Sequence, residues 1–399
     1  MALLDAPGLT NVAAPIRSTS LPAGAYVLSI ISLPSSYAVS ASAPNNAIHL
    51  FNKSHLHHFQ TLPGHQDAIT DLKSVIHFAG ATSPILISCG KDGVVKAWDD
   101  RTQSAALQMS TSSSGRHRPL LSCDVSSDGF LVAAGTDFQG EDASILYWDP
   151  RNAAAPLRVH SSTHSDDITA LHFLHTSSFT PHSSRTLLSA SSDGLVCTSN
   201  ADEEDEDEAG LHVGNWGCSV ARVGWVHRQS GSPGIWASSD METFSIWSSE
   251  LDLVRDVDIR QPSIHRQDLT WVTDYLIGCH NHHHIPADED NDLSIFVGSN
   301  EGDIASISRS SFSDPNAPWL LTNTWSTGHT GVVRSVLWDE RNNVLLTGGE
   351  DSRLNVWSSP AVPLSASRGQ PAKLKRKSED NAMDVDADED VTLLKKTRS

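Results

Sequence analysis

The side chains best suited to chemistry fall into three groups. Cys279-His280-Asn281-His282-His283-His284, followed by Asp288, Glu289, Asp290 and Asp292, puts thiol, imidazoles and carboxylates in one short stretch. Such donors bind Zn²⁺ or Ni²⁺ when they converge. Adjacent histidines on one loop do not converge without strain, and no second cluster has ligand spacing. The stretch therefore reads as a surface loop, with no metal and no other cofactor expected. The second group is Asp202-Glu203-Glu204-Asp205-Glu206-Asp207-Glu208. A run of acids repels itself and stays solvated, so a disordered loop is expected; attraction of a basic partner such as a histone tail is the other use. The third is basic: Lys373-Leu374-Lys375-Arg376-Lys377, then Lys395-Lys396-Thr397-Arg398, with acids from Glu379 to Asp390 between them. Lys373, Lys375, Arg376 and Lys377 read as a nuclear import signal. A nuclear or cytoplasmic placement follows, with the nucleus favoured.

Composition limits what these groups serve. The chain has 399 residues, with 28 Lys+Arg against 48 Asp+Glu, a formal charge of −20. Holding nucleic acid by phosphate neutralisation needs a basic stripe, so direct nucleic-acid binding is not expected. The charge is sorted. Residues 361–399 carry eight basic and seven acidic residues, leaving 20 against 41 in residues 1–360. No apolar run nears the roughly 18 residues that span a bilayer, and no membrane role is expected. The start, MALLDAPGLT, carries Asp5 and no basic region, unlike a signal peptide. Cys89, Cys123, Cys197, Cys218 and Cys279 are scattered without CxxC spacing, which points to a reducing, intracellular compartment.

The frame behind these groups is a repeat. Segments align at Phe51, Trp98, Trp148, Ser199, Trp247, Ile307 and Trp357, at spacings of 47, 50, 51, 48, 60 and 50. A period near 50 means one closed or stacked repeat fold rather than several domains. Each copy has two short apolar-alternating runs about a turn, as in Lys91-Asp92-Gly93 before Val94-Val95-Lys96-Ala97-Trp98. Alternation with period two and Asp-Gly turns is hairpin chemistry. Gly64-His65, Thr163-His164 and Gly328-His329 stand about two dozen residues before three of these turns. The long fifth interval, Trp247 to Ile307, holds the His-rich stretch.

This pattern resembles the WD40-repeat family over roughly residues 25–360. The resemblance implies four antiparallel strands per copy and a seven-bladed β-propeller, an all-β fold. The expected organisation is a flexible segment 1–20, a propeller 21–360 and a disordered tail 361–399, with one short stretch of 1–20 able to complete the last blade. In that family a His, a Ser or Thr, a turn Asp and the Trp form a hydrogen-bonded chain. The full sets implied here are His65, Ser88, Asp92 and Trp98, and His329, Thr347, Asp351 and Trp357. Blade 4 keeps His164, Ser189 and Asp193 and lacks the Trp. Ser, His and Asp together also suggest a hydrolase triad. The sets recur by blade, end in an indole and lack a GxSxG elbow, so they read as structure, with no catalytic residue and no enzyme activity.

Thr163–Thr169, Ser191–Val196, Asp274–Gly278 and Val333–Ser335 with Gly348–Asp351, together with the acidic break after blade 4, resemble one branch of this family. Trp98-Asp99-Asp100-Arg101 and Trp148-Asp149-Pro150-Arg151 resemble the W-D-x-R ending of substrate receptors in cullin ubiquitin ligases. That resemblance implies Arg101 and Arg151 as adaptor contacts, since the planar guanidinium suits bidentate pairing. The expected function is a non-enzymatic interaction scaffold, monomeric within a complex. Its partners would be proteins: a cullin-ligase adaptor, or basic peptides read by an acidic surface.

Overall fold

The computed structural model describes residues 2–99, 104–111, 117–140, 142–175, 185–227, 232–281 and 293–358. Seven sheets of four or five strands are arranged as a seven-bladed β-propeller. The strand chemistry is plain in blade 2. Its sheet comprises Ile69–Val75, Ile85–Gly90, Val94–Trp98 and Ala105–Ser110. In the third strand Val95, Ala97 and Trp98 are buried while Val94 and Lys96 are half-buried, as a pleat with period two requires. The turn before it needs glycine. Gly93 sits at φ +70°, and a Cβ there would lie 2.7 Å from the Arg118 carbonyl and from Thr111 Oγ1. Blade 7 has Ser352 at the matching position, at φ +67°.

The core is divided. Among the described residues the buried apolar side chains form seven clusters. Each lies at a seam between neighbouring blades. Val95, Met109 and Ile87 of blade 2, for example, meet Val125, Val132 and Trp148 of blade 3. No blade can bury its faces alone, so stability depends on an unbroken ring.

The N-terminal segment closes that ring: a short stretch completes the last blade, as the sequence allowed, and a second is a strand where the Pro/Ala/Ser-rich composition suggested a flexible segment. Arg17–Ser20 is the fourth strand of blade 7, antiparallel to Arg353–Ser358, with Arg17 opposite Val356 and Ser20 opposite Arg353. Leu3–Val12 adds a fifth strand to blade 6, parallel to Trp319–Trp325. The physical reason is that blades 6 and 7 offer unpaired strand edges. Edge hydrogen bonds order a segment whose own pattern is weak. Side chains reinforce it: Asn323 donates to Thr10 Oγ1 at 2.6 Å and Arg266 to Asp5 at 2.8 Å.

The seam between the last and first blades has a buried polar node. Asp339 of blade 7 accepts from Tyr37 Oη at 3.0 Å and Lys53 Nζ at 3.0 Å of blade 1, and from Asn342 at 2.8 Å. Burial alone would raise the Asp339 carboxyl, but the hydrogen bonds from Asn342 and Lys53 hold it below the usual range. No helix among the described residues is long and apolar enough to cross a membrane.

Candidate binding surface

Antiparallel strands alternate direction, so the turns between second and third strands emerge at the same end as the blade-to-blade connections. The His, Ser/Thr, Asp and Trp positions meet there. In blade 2, His65 Nδ1 lies 2.8 Å from Asp92 and Nε2 lies 2.7 Å from Ser88 Oγ, which accepts from Trp98 Nε1 at 2.8 Å. One direction satisfies every group: indole to hydroxyl, hydroxyl to Nε2, Nδ1–H to carboxylate. Blade 7 repeats it through Thr347 and Trp357, at 3.0, 2.8 and 2.8 Å. In blade 4 His164 joins Asp193 and Ser189 at 3.2 and 2.8 Å. Each Asp also caps a backbone amide, of Gln66, Ser165 and Thr330. Burial would raise these carboxyls, but the histidine and amide hydrogen bonds leave all three lowered. The hydroxyls of Ser88, Ser189 and Thr347 belong to residues with 0 % exposure. No substrate carbonyl can reach them, so their chemistry is structural.

The divergent blades show what the chain contributes. Trp148 of blade 3 faces Val132, as Trp98 faces Leu86, but Ala134 takes the place of Ser88. The buried Trp148 Nε1 accordingly has no partner. Blade 5 finds another acceptor, Ser245 Oγ, 2.8 Å from Trp247 Nε1.

Carboxylates of several blades stand at the same end of the ring. Arg118, Arg260, Arg266 and Arg334 are bound to Asp142, Asp258, Asp5 and Glu350. Asp166 and Asp167 instead receive backbone amides, of Asp167 and Phe138. Asp137 stands beside Asp167, with its Oδ1 buried and unpartnered. Burial, and then the neighbouring Asp167 charge, push the Asp137 carboxyl up. Between them Phe138 leaves its ring 44 % exposed. Two neighbouring carboxylates beside an exposed aromatic side chain suit a lysine or arginine side chain by charge and by cation–π attraction.

All seven inner strands line a central channel of about 1090 Å³. Its wall carries charged side chains. Lys73 donates to the Leu171 carbonyl at 2.6 Å and lies 3.7 and 3.6 Å from Asp71 and Asp124. Burial, followed by the Lys73 cation, pushes His172 down to about 3. These groups join blades 2, 3 and 4, and Arg222 of blade 5, also in the wall, donates to the Ile277 carbonyl.

Comparison with known families agrees with this geometry. The model described as WD domain, G-beta repeat matches residues 57–99 and 319–358, the two stretches that hold the complete hydrogen-bonded chains. The protein is a WD40-repeat propeller. It is 28 % identical to WD repeat-containing protein GTS1 of Arabidopsis thaliana over 345 residues, 84 % of this chain and 81 % of that one. It is 25 % identical to the WD repeat-containing protein 89 homolog of Dictyostelium discoideum over 84 % of this chain and 83 % of that one. The ordered segments noted in the sequence resemble this WD repeat-containing protein 89 branch. Similarity to the small ribosomal subunit protein RACK1 of Drosophila melanogaster, at 31 % identity, covers only 27 % of this WD40 chain.

The remaining sequence-expected groups sit as follows. The acidic run is built into the WD40 ring rather than forming the disordered loop expected. Glu206 accepts the amides of Ser161, Ser162 and Thr163 and the Thr163 hydroxyl, each at 2.8 Å. Asp202 pairs with Arg185, and Asp205 caps the one-turn helix Glu206–Ala209. The carboxylates find donors, which self-repulsion within the run could not reveal. Arg151 is 61 % exposed but forks onto Asp149 at 2.9 and 2.7 Å and lies over the Phe130 ring. Asp258 and Arg260 form the same fork elsewhere, at 2.8 and 2.7 Å, so a D-x-R pairing is a recurrent turn device. Arg101 lies outside the described residues. So do His282–His284 and Lys373, Lys375, Arg376 and Lys377. Cys279 and His280 lie in the inner strand of blade 6, and His280 meets Glu340 at 2.9 Å. Among the described residues no group of three His, Cys, Asp or Glu could hold a metal. Sequence reasoning missed Asp137, Phe138 and Asp167. The available signal is that Asp137 to Trp148 runs five residues longer than the corresponding Asp92 to Trp98.

Proposed function

We propose that this chain, an interaction scaffold as WD repeat proteins generally are, is a non-enzymatic platform that binds basic peptide segments at the blade 3–4 sector of the ring. The observation that carries the reading is the Asp137 carboxyl, raised by burial and by the neighbouring Asp167, beside the exposed Phe138. An incoming ammonium or guanidinium near the pair relieves the like-charge contact. The test is fluorescence anisotropy with a lysine- and arginine-rich peptide at two salt concentrations. The native chain binds more weakly as salt rises. Asp137→Asn with Asp167→Asn weakens binding by about tenfold or more. Binding that ignores both salt and the substitutions refutes the reading.

A second reading, as substrate receptor of a cullin ubiquitin ligase, is supported by the exposure of Arg151. It requires an adaptor to displace or join Asp149 at the fork, and loss of adaptor from an Arg101→Ala, Arg151→Ala chain tests it. Nuclear placement belongs to the same proposal. It rests on Lys373–Lys377, and Lys375, Arg376 and Lys377→Ala should move a fluorescent fusion to the cytoplasm.

A further inference from the structure

The outer strand of blade 4, Gly210–Asn215, is an open sheet edge. It pairs inward with Leu195–Asn200, and among the described residues no strand pairs with its other side. Alternate residues of an edge strand turn N–H and C=O outward, where they template another strand. Leu211 and Val213, 46 % and 65 % exposed, share one face of this strand.

Folded proteins guard such edges with charge, shortness or a cover. The guards are visible elsewhere on the ring. The outer strand of blade 3 has only three residues, Arg158–His160, and that of blade 5 carries Arg255, Asp256 and Asp258. That of blade 6 is covered by Leu3–Val12. Gly210–Asn215 has six residues, no Asp, Glu, Lys or Arg, and no covering strand. Ala105–Ser110 of blade 2 is as long and as uncharged, but it keeps Leu107 half-buried and Met109 buried, whereas Leu211 and Val213 are exposed. Blade 6 also shows that a fifth strand fits beside an outer strand of this ring. At blade 4 the adjoining chain sets the chemistry of that strand. Glu204, Asp207 and Glu208 are exposed just before Gly210, while their neighbours Asp202, Asp205 and Glu206 are used within the fold.

We propose that the blade 4 edge takes an extended segment of a partner protein as a fifth strand. Its alternate apolar side chains lie along Leu211 and Val213. A lysine or arginine at one end meets Asp207 and Glu208. Main-chain pairing supplies affinity and the acidic end supplies polarity. This site is separate from Asp137 and stands or falls without it.

The probes are short capped peptides of alternating valine and threonine. Two lysines stand at the first end, two lysines at the last, or two glutamates in either place. Anisotropy reads affinity, and hydrogen exchange reads protection. One lysine peptide is expected to bind, to protect alternate amides within 210–215, and to exceed the glutamate peptides by about tenfold or more. Leu211→Lys with Val213→Lys abolishes binding. Both sites are exposed, so the far-ultraviolet dichroism stays native. The test is run in the Asp137→Asn, Asp167→Asn chain, where the other basic-peptide site is removed, and protection of 210–215 is expected to persist there. No binding of either lysine peptide to that chain up to about 1 mM overturns the proposal. So does a lack of protection within 210–215, or equal binding of lysine and glutamate peptides.

Discussion

Replacing Ser88 by Ala removes one oxygen and strands two partners. Trp98 Nε1 loses the acceptor at 2.8 Å, and His65 Nε2 loses the hydroxyl at 2.7 Å. Ser88 has 0 % exposure and Trp98 1 %, so water cannot substitute without opening the seam. Leaving one buried polar group unpaired costs about 1–3 kcal/mol, so two cost about 2–6 kcal/mol. That is a large part of the roughly 5–15 kcal/mol that holds an ordinary domain together. Urea unfolding followed by far-ultraviolet dichroism measures it, with an unchanged slope as the sign of an unaltered native state. The internal control is Trp98→Phe, which removes the stranded N–H. In the Ser88→Ala background it should cost less than in the native chain, with a coupling of about 1 kcal/mol or more. A Ser88→Ala loss below about 0.5 kcal/mol, or zero coupling, would refute the claim that buried hydrogen bonding fixes this blade.

Asp92, Asp193 and Asp351 are lowered in the fold. Their stabilisation is therefore present above the ordinary carboxylate range, near about 4, and is lost as pH falls through their folded values. Asp351→Asn should flatten that acid limb in thermal melts; an unchanged limb contradicts the assignment. Asp137 runs the other way: its raised carboxyl costs stability once ionised, so Asp137→Asn should raise the free protein's unfolding midpoint while weakening basic-peptide binding. Ser352→Gly relieves a φ of +67° and should stabilise by about 1 kcal/mol in urea titration, whereas a loss would show that Ser352 makes a compensating contact. Deleting residues 2–20 removes strands from blades 6 and 7 and should raise hydrogen exchange in Trp319–Trp325 and Arg353–Ser358; native protection there would exclude the N-terminal closure.

The ring was readable because its physics repeats. Seven anchors near one spacing, Asp-Gly turns and alternating strands carry the same instruction several times over, so erosion in blades 1, 3, 5 and 6 does not hide it. The His–Ser/Thr–Asp–Trp positions were readable for the same reason. Contacts made once were not readable. Leu3–Val12 and Arg17–Ser20 become strands only because distant edges accept them. Glu206 is ordered by three amides more than 40 residues away in sequence. The Asp137–Asp167 pair joins two blades through a turn that departs from the repeat. Functional surfaces on a repeat fold are built from such departures, where period and composition carry no information.

The most direct measurement for the binding account is photo-cross-linking of a lysine-rich peptide to the intact protein, with the attachment points read by mass spectrometry. Cross-links should fall on residues 137–142 and 166–167 and vanish in the Asp137→Asn, Asp167→Asn chain. Cross-links that map to another sector, and persist in that variant, would contradict it.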